Sequence, residues 1–313
     1  MLTENLVPTP TWTPAGLEID ILSTVVEKKL DDGGTMYEIV RTDGRNDPVF
    51  ASHMADYLAA PAPFAPDEER DARLNDPEKY FRYLRGRRKF WRALPYLAKE
   101  YTAIATRRYI TATYRSDESR MNDPFSVEAI EDVARIAFLD IARAGSPPTV
   151  FSRGYFSDNY NLVDDVILWV ASEREVNGST TTKQTSKTVT DLNDRVILGA
   201  EQILATSKSA QDAVREAFRD CIGRPKKIVF LFFAATKEGI LELAKEFPDA
   251  GFVVLTLHGG MNDHRYVIKI GAGDAGAMTY GGIDRKVWLK LLYEDPERMK
   301  RVTQLGYNIA LLR

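Results

Sequence analysis

The sequence predicts an α/β fold in which a mainly parallel sheet is flanked by helices. Continuous apolar runs of strand length alternate with stretches of helical periodicity, and 44% of the residues are hydrophobic, as in globular proteins. Because ligands of such folds collect at the carboxyl ends of the strands, polar residues there are candidate site residues. The predicted buried strands are residues 136–139, 166–171, 196–198, 228–233 and 252–257.

The region before these strands is predicted to contain a strand, a linker and a helix. Residues 35–42 (TMYEIVRT) predict a short strand followed by an Asp43-Gly44 turn, and the proline-rich residues 59–66 predict a linker or surface crossing. Residues 80–101 predict a helix with a kink or break at Pro95. Its basic side is either a patch for phosphates or nucleic acid, or a solvated face paired with the acidic stretch before it, and we favour the latter.

The remaining elements are predicted from local patterns. Residues 108–114 (RYITATY) indicate a hairpin strand and residues 127–133 a short helix. The polar residues 175–190 predict a long loop, either disordered or acting as a lid. Further helices are predicted over residues 209–222 and 237–247, and two more, broken at Pro296, within residues 284–313, where packing on the domain is preferred to an oligomer contact.

Composition excludes several classes of protein. The 313 residues carry a formal net charge of −3, which gives no bulk attraction to nucleic acid, and no apolar run reaches membrane-spanning length. The sequence starts without a signal-peptide pattern, and the single Cys221, expected half-buried on a helix, cannot form an intramolecular disulfide. We therefore expect a cytoplasmic protein. The histidines do not have metal-ligand spacing and are expected to be structural or exposed (His53, His258 and His264).

Residues 195–210 (RVILGAEQILATSKSA) form the motif around which the rest is organised. An apolar strand leads to Glu201, then to a hydroxyl-rich turn and the start of a helix. Free backbone N–H groups and the helix dipole make such a turn suitable for an anion. On this stretch alone, an ordinary N-capped helix is the commoner explanation.

Residues 201–210 (EQILATSKSA) resemble the DPMLATGGSA motif of the uracil phosphoribosyltransferase family. Further motifs follow in the family's order, and the similarity covers residues 87–282. The sequence thus divides into an N-terminal extension (1–80), a phosphoribosyltransferase-like domain (81–282) and a C-terminal helical extension (283–313). The other motifs are residues 141–145 (IARAG, family LRAG), 170–175 (VASERE, family YRNEE), 236–249 (family APEGI…HPD), and 266–268 with 273–276 (family YII…GDAG).

The resemblance implies a divergent type I phosphoribosyltransferase that uses phosphoribosyl pyrophosphate, a nucleobase and Mg²⁺, without nucleic acid or membrane partners, as a homodimer. It implies a catalytic set of Arg143, Arg174, Glu201 and Asp274. The two arginines would bind pyrophosphate, Glu201 the ribose hydroxyls, and Asp274 pyrophosphate or Mg²⁺. The 5-phosphate would lie on Ala205, Thr206, Ser207, Lys208 and Ser209, and the base on Ile268, Gly273, Asp274 and Ala275. We do not expect these residues to form a metal site without the cosubstrate.

Two departures from the family leave alternatives open. Ser207 and Lys208 replace two glycines and should lack their backbone freedom. Lys208 either binds the phosphate directly or plugs the site. The family's Pro-Gly-Leu before GDAG is missing, so the base pocket is expected to be remodelled. A catalytically weak relative that binds a nucleotide for regulation or scaffolding is therefore the alternative to a transferase acting on a pyrimidine or related base.

Overall fold

The structure is a computed structural model that describes residues 14–29, 35–44, 46–59, 75–115, 135–141, 144–159, 166–174, 180–188 and 190–258. The strands within these ranges form one mixed sheet. They are β1 (Glu18–Lys29), β2 (Thr35–Arg41), β3 (Arg135–Ile141), β4 (Val166–Arg174), β5 (Thr180–Lys187), β6 (Arg195–Leu204), β7 (Lys227–Thr236) and β8 (Gly251–His258).

The helices in the described ranges lie before, between and after these strands. They are α1 (Pro48–Leu58), α2 (Pro77–Ala105) followed by a π-helical turn (Thr106–Ile110), α3 (Thr111–Arg115), α4 (Ser146–Asn159), α5 (Lys208–Phe218) and α6 (Lys237–Glu246). None of them is both long and apolar enough to cross a membrane.

The strand order in the sheet is β2-β1-β8-β7-β6-β3-β4-β5. The six central strands are parallel, and the outer pairs β1–β2 and β4–β5 are antiparallel. From β3 the chain moves outward to β4, whereas from β6 it moves the other way to β7 and β8. The direction therefore reverses between β3 and β6, which makes the crevice at their carboxyl ends the expected ligand site.

The sheet is buried on both faces. Helices α1, α2 and α4 pack on one face, for example through Phe50, Leu94 and Phe156, and helices α5 and α6 pack on the other through Val214 and Leu243. Burial on both faces explains why the central strands are continuous apolar runs. The five predicted strands and the α/β class are confirmed, as are the strand at residues 35–42 and the turn after it.

The described N-terminal residues belong to the same sheet. β1 pairs in parallel with β8, and the Tyr109 hydroxyl donates to the Asp20 carboxylate at 2.9 Å. Gly251 lies against the Tyr109 ring, because a Cβ there would be 2.5 Å from a ring carbon. Helix α2 begins at Pro77, so the predicted boundary at residue 80 falls in its first turn.

The predicted hairpin strand at residues 108–114 is wrong. The chain there continues α2 as a π-helical turn and then as α3. The Thr106 and Thr111 hydroxyls each donate to a backbone carbonyl at 2.8 Å, while Tyr109 and Ile110 are buried. β-Branched and aromatic residues suggested a strand, but packing of this turn on the core outweighs that local preference.

Helix α2 runs through Pro95 without the break that was one of the two predicted outcomes. On its basic side Lys89 forms an ion pair with Asp56 of α1 at 3.0 Å, and Arg82 one with Glu78 at 3.6 Å. These pairs agree with a solvated, charge-paired face. The preceding residues 60–74, which include most of the predicted linker and acidic stretch, lie outside the described residues, as do residues 127–133 and 284–313.

The predicted loop at residues 175–190 is wrong for residues 180–187, which form strand β5. β5 lies at the edge of the sheet and pairs only with β4 within the described chain. An edge strand needs one hydrogen-bonding neighbour and tolerates polar side chains, and threonine favours extended backbone. Polarity therefore excluded a central strand here, but not an edge strand.

Candidate functional site

The loop between β6 and α5 lies at the carboxyl edge of the sheet, next to the reversal point. β6 ends at Leu204, and α5 begins at Lys208 with the Gln211 amide donating to the Ser207 carbonyl at 2.9 Å. Thr206 and Ser209 are half-buried, so each keeps a partly accessible hydroxyl. The predicted strand, turn and helix are thus present, with the helix N-terminus at the sheet edge.

Ser207 has a left-handed backbone, with φ 65° and ψ −14°. The expectation that Ser207 lacks the backbone freedom of the family's glycine is therefore corrected, since this serine does adopt a glycine-type conformation. A left-handed L-residue costs about 1–2 kcal/mol, which the rest of the loop must offset. Its side chain is buried, and its hydroxyl has no hydrogen-bond partner among the residues that the structure describes.

Thr236 anchors this loop to the start of α6. Its hydroxyl donates to the Ala205 carbonyl at 2.7 Å and accepts the Gly239 amide at 2.9 Å. A Cβ on Gly239 would lie 2.5 Å from the Ala205 oxygen, so only glycine allows this approach. Thr236 and Gly239 belong to residues 236–249, which resemble the family's APEGI…HPD motif, but the resemblance implied no role for either residue.

Lys208 is the first residue of α5 and is paired along the helix. Its Nζ lies 2.8 Å from Asp212, and 45% of its side chain is exposed. Asp212 also contacts Arg215 at 3.1 Å, and Arg215 in turn binds Glu246 of α6. The ammonium group is therefore half-exposed and paired with a carboxylate one turn along α5.

Residues 144 and 145, the described part of the connection between β3 and α4, pack closely on the sheet. The Gly145 amide donates to the Ile141 carbonyl at 2.9 Å, and a Cβ on Gly145 would lie only 2.6 Å from the Ala200 oxygen of β6. The Ser146 hydroxyl donates to Asp140 at 2.8 Å, and burial raises the pKa of that carboxyl to about 6. Arg143, predicted to bind pyrophosphate from this loop, lies outside the described residues.

Two of the other predicted residues lie at the same edge. Glu201 is half-buried near the end of β6, and Arg174 is the last residue of β4, paired in register with Thr180. Complete burial raises the pKa of Tyr57 well above its ordinary value, and the Glu201 charge adds to this rise. The Tyr57 hydroxyl of α1 lies 3.4 Å from the backbone carbonyl of Gln202, the residue after Glu201.

The predicted base-binding residues come after β8 in the chain. Asp274, Ile268, Gly273 and Ala275 lie outside the described residues, as does His264. His53 stacks on Tyr96 with 4.2 Å between ring centroids, and Cys221 is half-buried just after α5. The described part of the chain does not bring three His, Cys, Asp or Glu side chains together as a metal site.

Comparison with solved structures gives weak similarities. The AQ2163 protein from Aquifex aeolicus is 19% identical with a TM-score of 0.43, over 62% of this chain and 87% of that one. Hypoxanthine phosphoribosyltransferase from Trypanosoma cruzi is 13% identical with a TM-score of 0.35, over 52% and 77%. At these scores the structural similarity carries no argument about function.

Sequence comparison is more specific. The uracil phosphoribosyltransferase of Legionella pneumophila is 38% identical over 88 residues, which are 28% of this chain and 39% of the relative. The enzyme of the same name from Burkholderia thailandensis is 34% identical over 92 residues, or 29% and 41%. The alignment thus spans about two fifths of these curated relatives. The model of the family described as "Uracil phosphoribosyltransferase" matches residues 92–282, and the chain therefore belongs to this family.

Proposed function

We propose that the protein is a phosphoribosyltransferase that moves ribose 5-phosphate from phosphoribosyl pyrophosphate to a nitrogen of a uracil-like or related base and releases pyrophosphate. The observation that carries this proposal is the Ala205–Lys208 loop at the reversal point of the sheet. Its left-handed Ser207 and its Thr236 anchor keep a turn of the type in which glycines normally cradle a phosphate. Family membership gives the proposal its reaction class.

The proposed chemistry depends mainly on positioning and electrostatics. The transition state has oxocarbenium character at C1 of the ribose while pyrophosphate leaves. The N-terminus of α5 and the Lys208 ammonium offer positive charge to the 5-phosphate. Arg143 and Arg174 are the proposed pyrophosphate ligands, since guanidinium groups match phosphate oxygens. The Glu201 carboxylate would orient the ribose hydroxyls.

The carboxylates at this edge of the sheet would bind Mg²⁺ only together with phosphate oxygens of the cosubstrate. Glu201 supplies a half-buried carboxylate of the hard-oxygen type that Mg²⁺ prefers. Mg²⁺ is commonly held by one or two carboxylates together with substrate phosphates, and Asp274 is the second carboxylate that the motif implies. When bound, the ion would neutralise charge on the departing pyrophosphate.

The base is proposed to be uracil or a related heterocycle. The relatives from Legionella pneumophila and Burkholderia thailandensis carry the name uracil phosphoribosyltransferase. Recognition through backbone groups around Ile268, Gly273 and Ala275 would tolerate changes in side chains, so the altered segment before them is compatible with a different base. We further propose a cytoplasmic homodimer that needs neither nucleic acid nor membrane.

A second candidate is a catalytically weak relative that binds a nucleotide as a regulatory or scaffold protein. The observation that favours it is the strained Ser207, because a non-glycine residue stands where the backbone must approach a phosphate. Weak catalysis with retained binding would follow if the phosphate lies too far from the loop.

Pyrophosphate release over a panel of bases tests the proposal. The full chain is incubated with phosphoribosyl pyrophosphate, Mg²⁺ and one base at a time, with uracil and other pyrimidines first. Base-dependent release of pyrophosphate with formation of the matching nucleotide supports the transferase. Binding of phosphoribosyl pyrophosphate without turnover on any base would support the regulatory relative instead.

A further inference from the structure

Gln202 stands where the family motif has proline. It follows Glu201 in β6 and is completely buried. A buried amide side chain is stable only when it is hydrogen-bonded, so its contacts indicate what it does in this chain.

The Gln202 side chain joins strand β6 to the connection between β3 and α4. Its Nε2 donates to the Ala144 carbonyl at 2.9 Å, a contact between residues 58 positions apart in sequence. Ala144 directly follows Arg143 in sequence and lies in the connection from β3 to α4. The Gln202 backbone carbonyl in turn accepts the Tyr57 hydroxyl at 3.4 Å, so α1 also contacts this point of β6.

Gly145 also lies against the Ala200 carbonyl of β6, but two other hydrogen bonds of the described part of the β3–α4 connection lead elsewhere. The Ser146 hydroxyl binds Asp140, and the Gly145 amide binds Ile141, so both contacts return to β3 itself. The Gln202 amide instead joins this connection by a side-chain hydrogen bond to β6, the strand that carries Glu201. A proline side chain has no donor and cannot make this bridge.

We propose that Gln202 is a positioning residue that fixes the Ala144 carbonyl, and with it the pyrophosphate side of the site, relative to Glu201 and the 5-phosphate loop. This inference rests on the proposed function. In this chain the Gln202 amide holds the β3–α4 connection by a direct hydrogen bond, which the family's proline could not form. It acts through the loop and does not contact the substrate.

The consequence is a selective effect on one half of the cosubstrate. Loss of the donor leaves the Ala144 carbonyl without its partner and frees the loop that precedes α4. Inorganic pyrophosphate needs that loop, whereas ribose 5-phosphate needs Glu201 and the Ala205–Ser209 turn. A substitution at Gln202 should therefore weaken binding of pyrophosphate and spare binding of ribose 5-phosphate.

Calorimetry on the full chain with these two probes, in the presence of Mg²⁺, tests the proposal. Gln202→Met keeps the length of the side chain and removes the donor. We expect pyrophosphate to bind about fivefold to tenfold more weakly and ribose 5-phosphate to bind within about twofold of the wild type. Gln202→Leu, which also removes the donor and adds no buried charge, should give the same pattern and serves if the methionine variant does not fold.

Ser23→Ala is the matched control. It also removes a buried side-chain donor to a carbonyl, Leu255 at 2.7 Å, but on β1 and away from both loops. It should lower thermal stability without changing either affinity. Unchanged pyrophosphate binding in the Gln202 variants, or equal loss of both ligands, would overturn the positioning role. A wild-type chain that binds neither probe would instead overturn the proposed function, and the inference with it.

Discussion

The hydroxyl of Thr236 lies 2.7 Å from the carbonyl oxygen of Ala205 and also caps α6 by accepting the Gly239 amide. One side chain therefore fixes both the loop between β6 and α5 and the start of α6. Both hydrogen bonds are buried, so the Ala205 carbonyl and the Gly239 amide cannot bind water instead when the Thr236 hydroxyl is removed.

Thr236→Val should destabilise the protein by about 2–3 kcal/mol, because it removes an N-cap and leaves the Ala205 carbonyl unsatisfied. It should also weaken binding of ribose 5-phosphate by loosening the loop. Urea unfolding and calorimetry measure the two effects. Thr236→Ser keeps the hydroxyl and should retain most of the stability, and a serine variant as unstable as the valine variant would argue against the hydrogen bonds as the cause.

Ser207→Gly should stabilise the free protein by about 1 kcal/mol. Relief of the left-handed conformation exceeds the extra backbone entropy that glycine loses on folding, and the buried hydroxyl disappears. Ser207→Ala is the control, because it removes the hydroxyl and keeps the strain. Chemical denaturation of both variants separates the two contributions. A destabilised glycine variant would show that the serine side chain itself holds the loop.

Lys208→Ala distinguishes a phosphate ligand from a plug. If Lys208 binds the 5-phosphate, the substitution removes a charge-assisted contact and should weaken binding of phosphoribosyl pyrophosphate about tenfold to a hundredfold. Asp212 keeps its ion pair with Arg215 when Lys208 is lost, so thermal stability should change only slightly. Lys245→Ala, which breaks a similar pair with Glu242 on α6, is the control.

Tighter binding in Lys208→Ala would instead favour the plug. In that case Ser207→Gly combined with Lys208→Gly should raise the affinity further. The surface position and partial exposure of the ammonium group favour the ligand interpretation.

His258 should make stability fall in acid. Burial lowers its pKa from 6.5 to about 4 in the folded protein, so the unfolded chain binds more protons between these pH values. The contribution of His258 to stability is therefore complete well above pH 6.5 and is lost as the pH falls towards 4, by about 3 kcal/mol. In His258→Leu this loss should be absent, and the difference between the two unfolding curves isolates it. Parallel pH profiles would contradict this assignment.

The predictions from sequence succeeded where a residue's pattern reflects burial on both sides. The runs around Leu198 and Phe230 could only be central strands, and the turn after Glu201 followed from the chain's return to helical spacing. They failed where the environment is one-sided, as for β5 at the sheet edge, or where packing outweighs local preference, as for Tyr109 in the π-helical turn.

The supporting contacts of the site had no usable signal in the sequence. Thr236 and Gln202 act through single hydrogen bonds to carbonyls that lie 31 and 58 positions away. Such contacts depend on which strands become neighbours, and the reversal between β3 and β6 is known only from the fold. The left-handed Ser207 was likewise unexpected, because local preference assigns that conformation to glycine.

The most direct test of the central claim is calorimetric binding of phosphoribosyl pyrophosphate to the full chain, compared with Arg143→Ala and Arg174→Ala. The account predicts binding to the wild type and, in each variant, clearly weaker binding with nearly unchanged thermal stability, because these side chains would contact the ligand's pyrophosphate. Intact binding with a large loss of stability would make both arginines structural salt-bridge residues and would contradict a pyrophosphate site at this edge of the sheet.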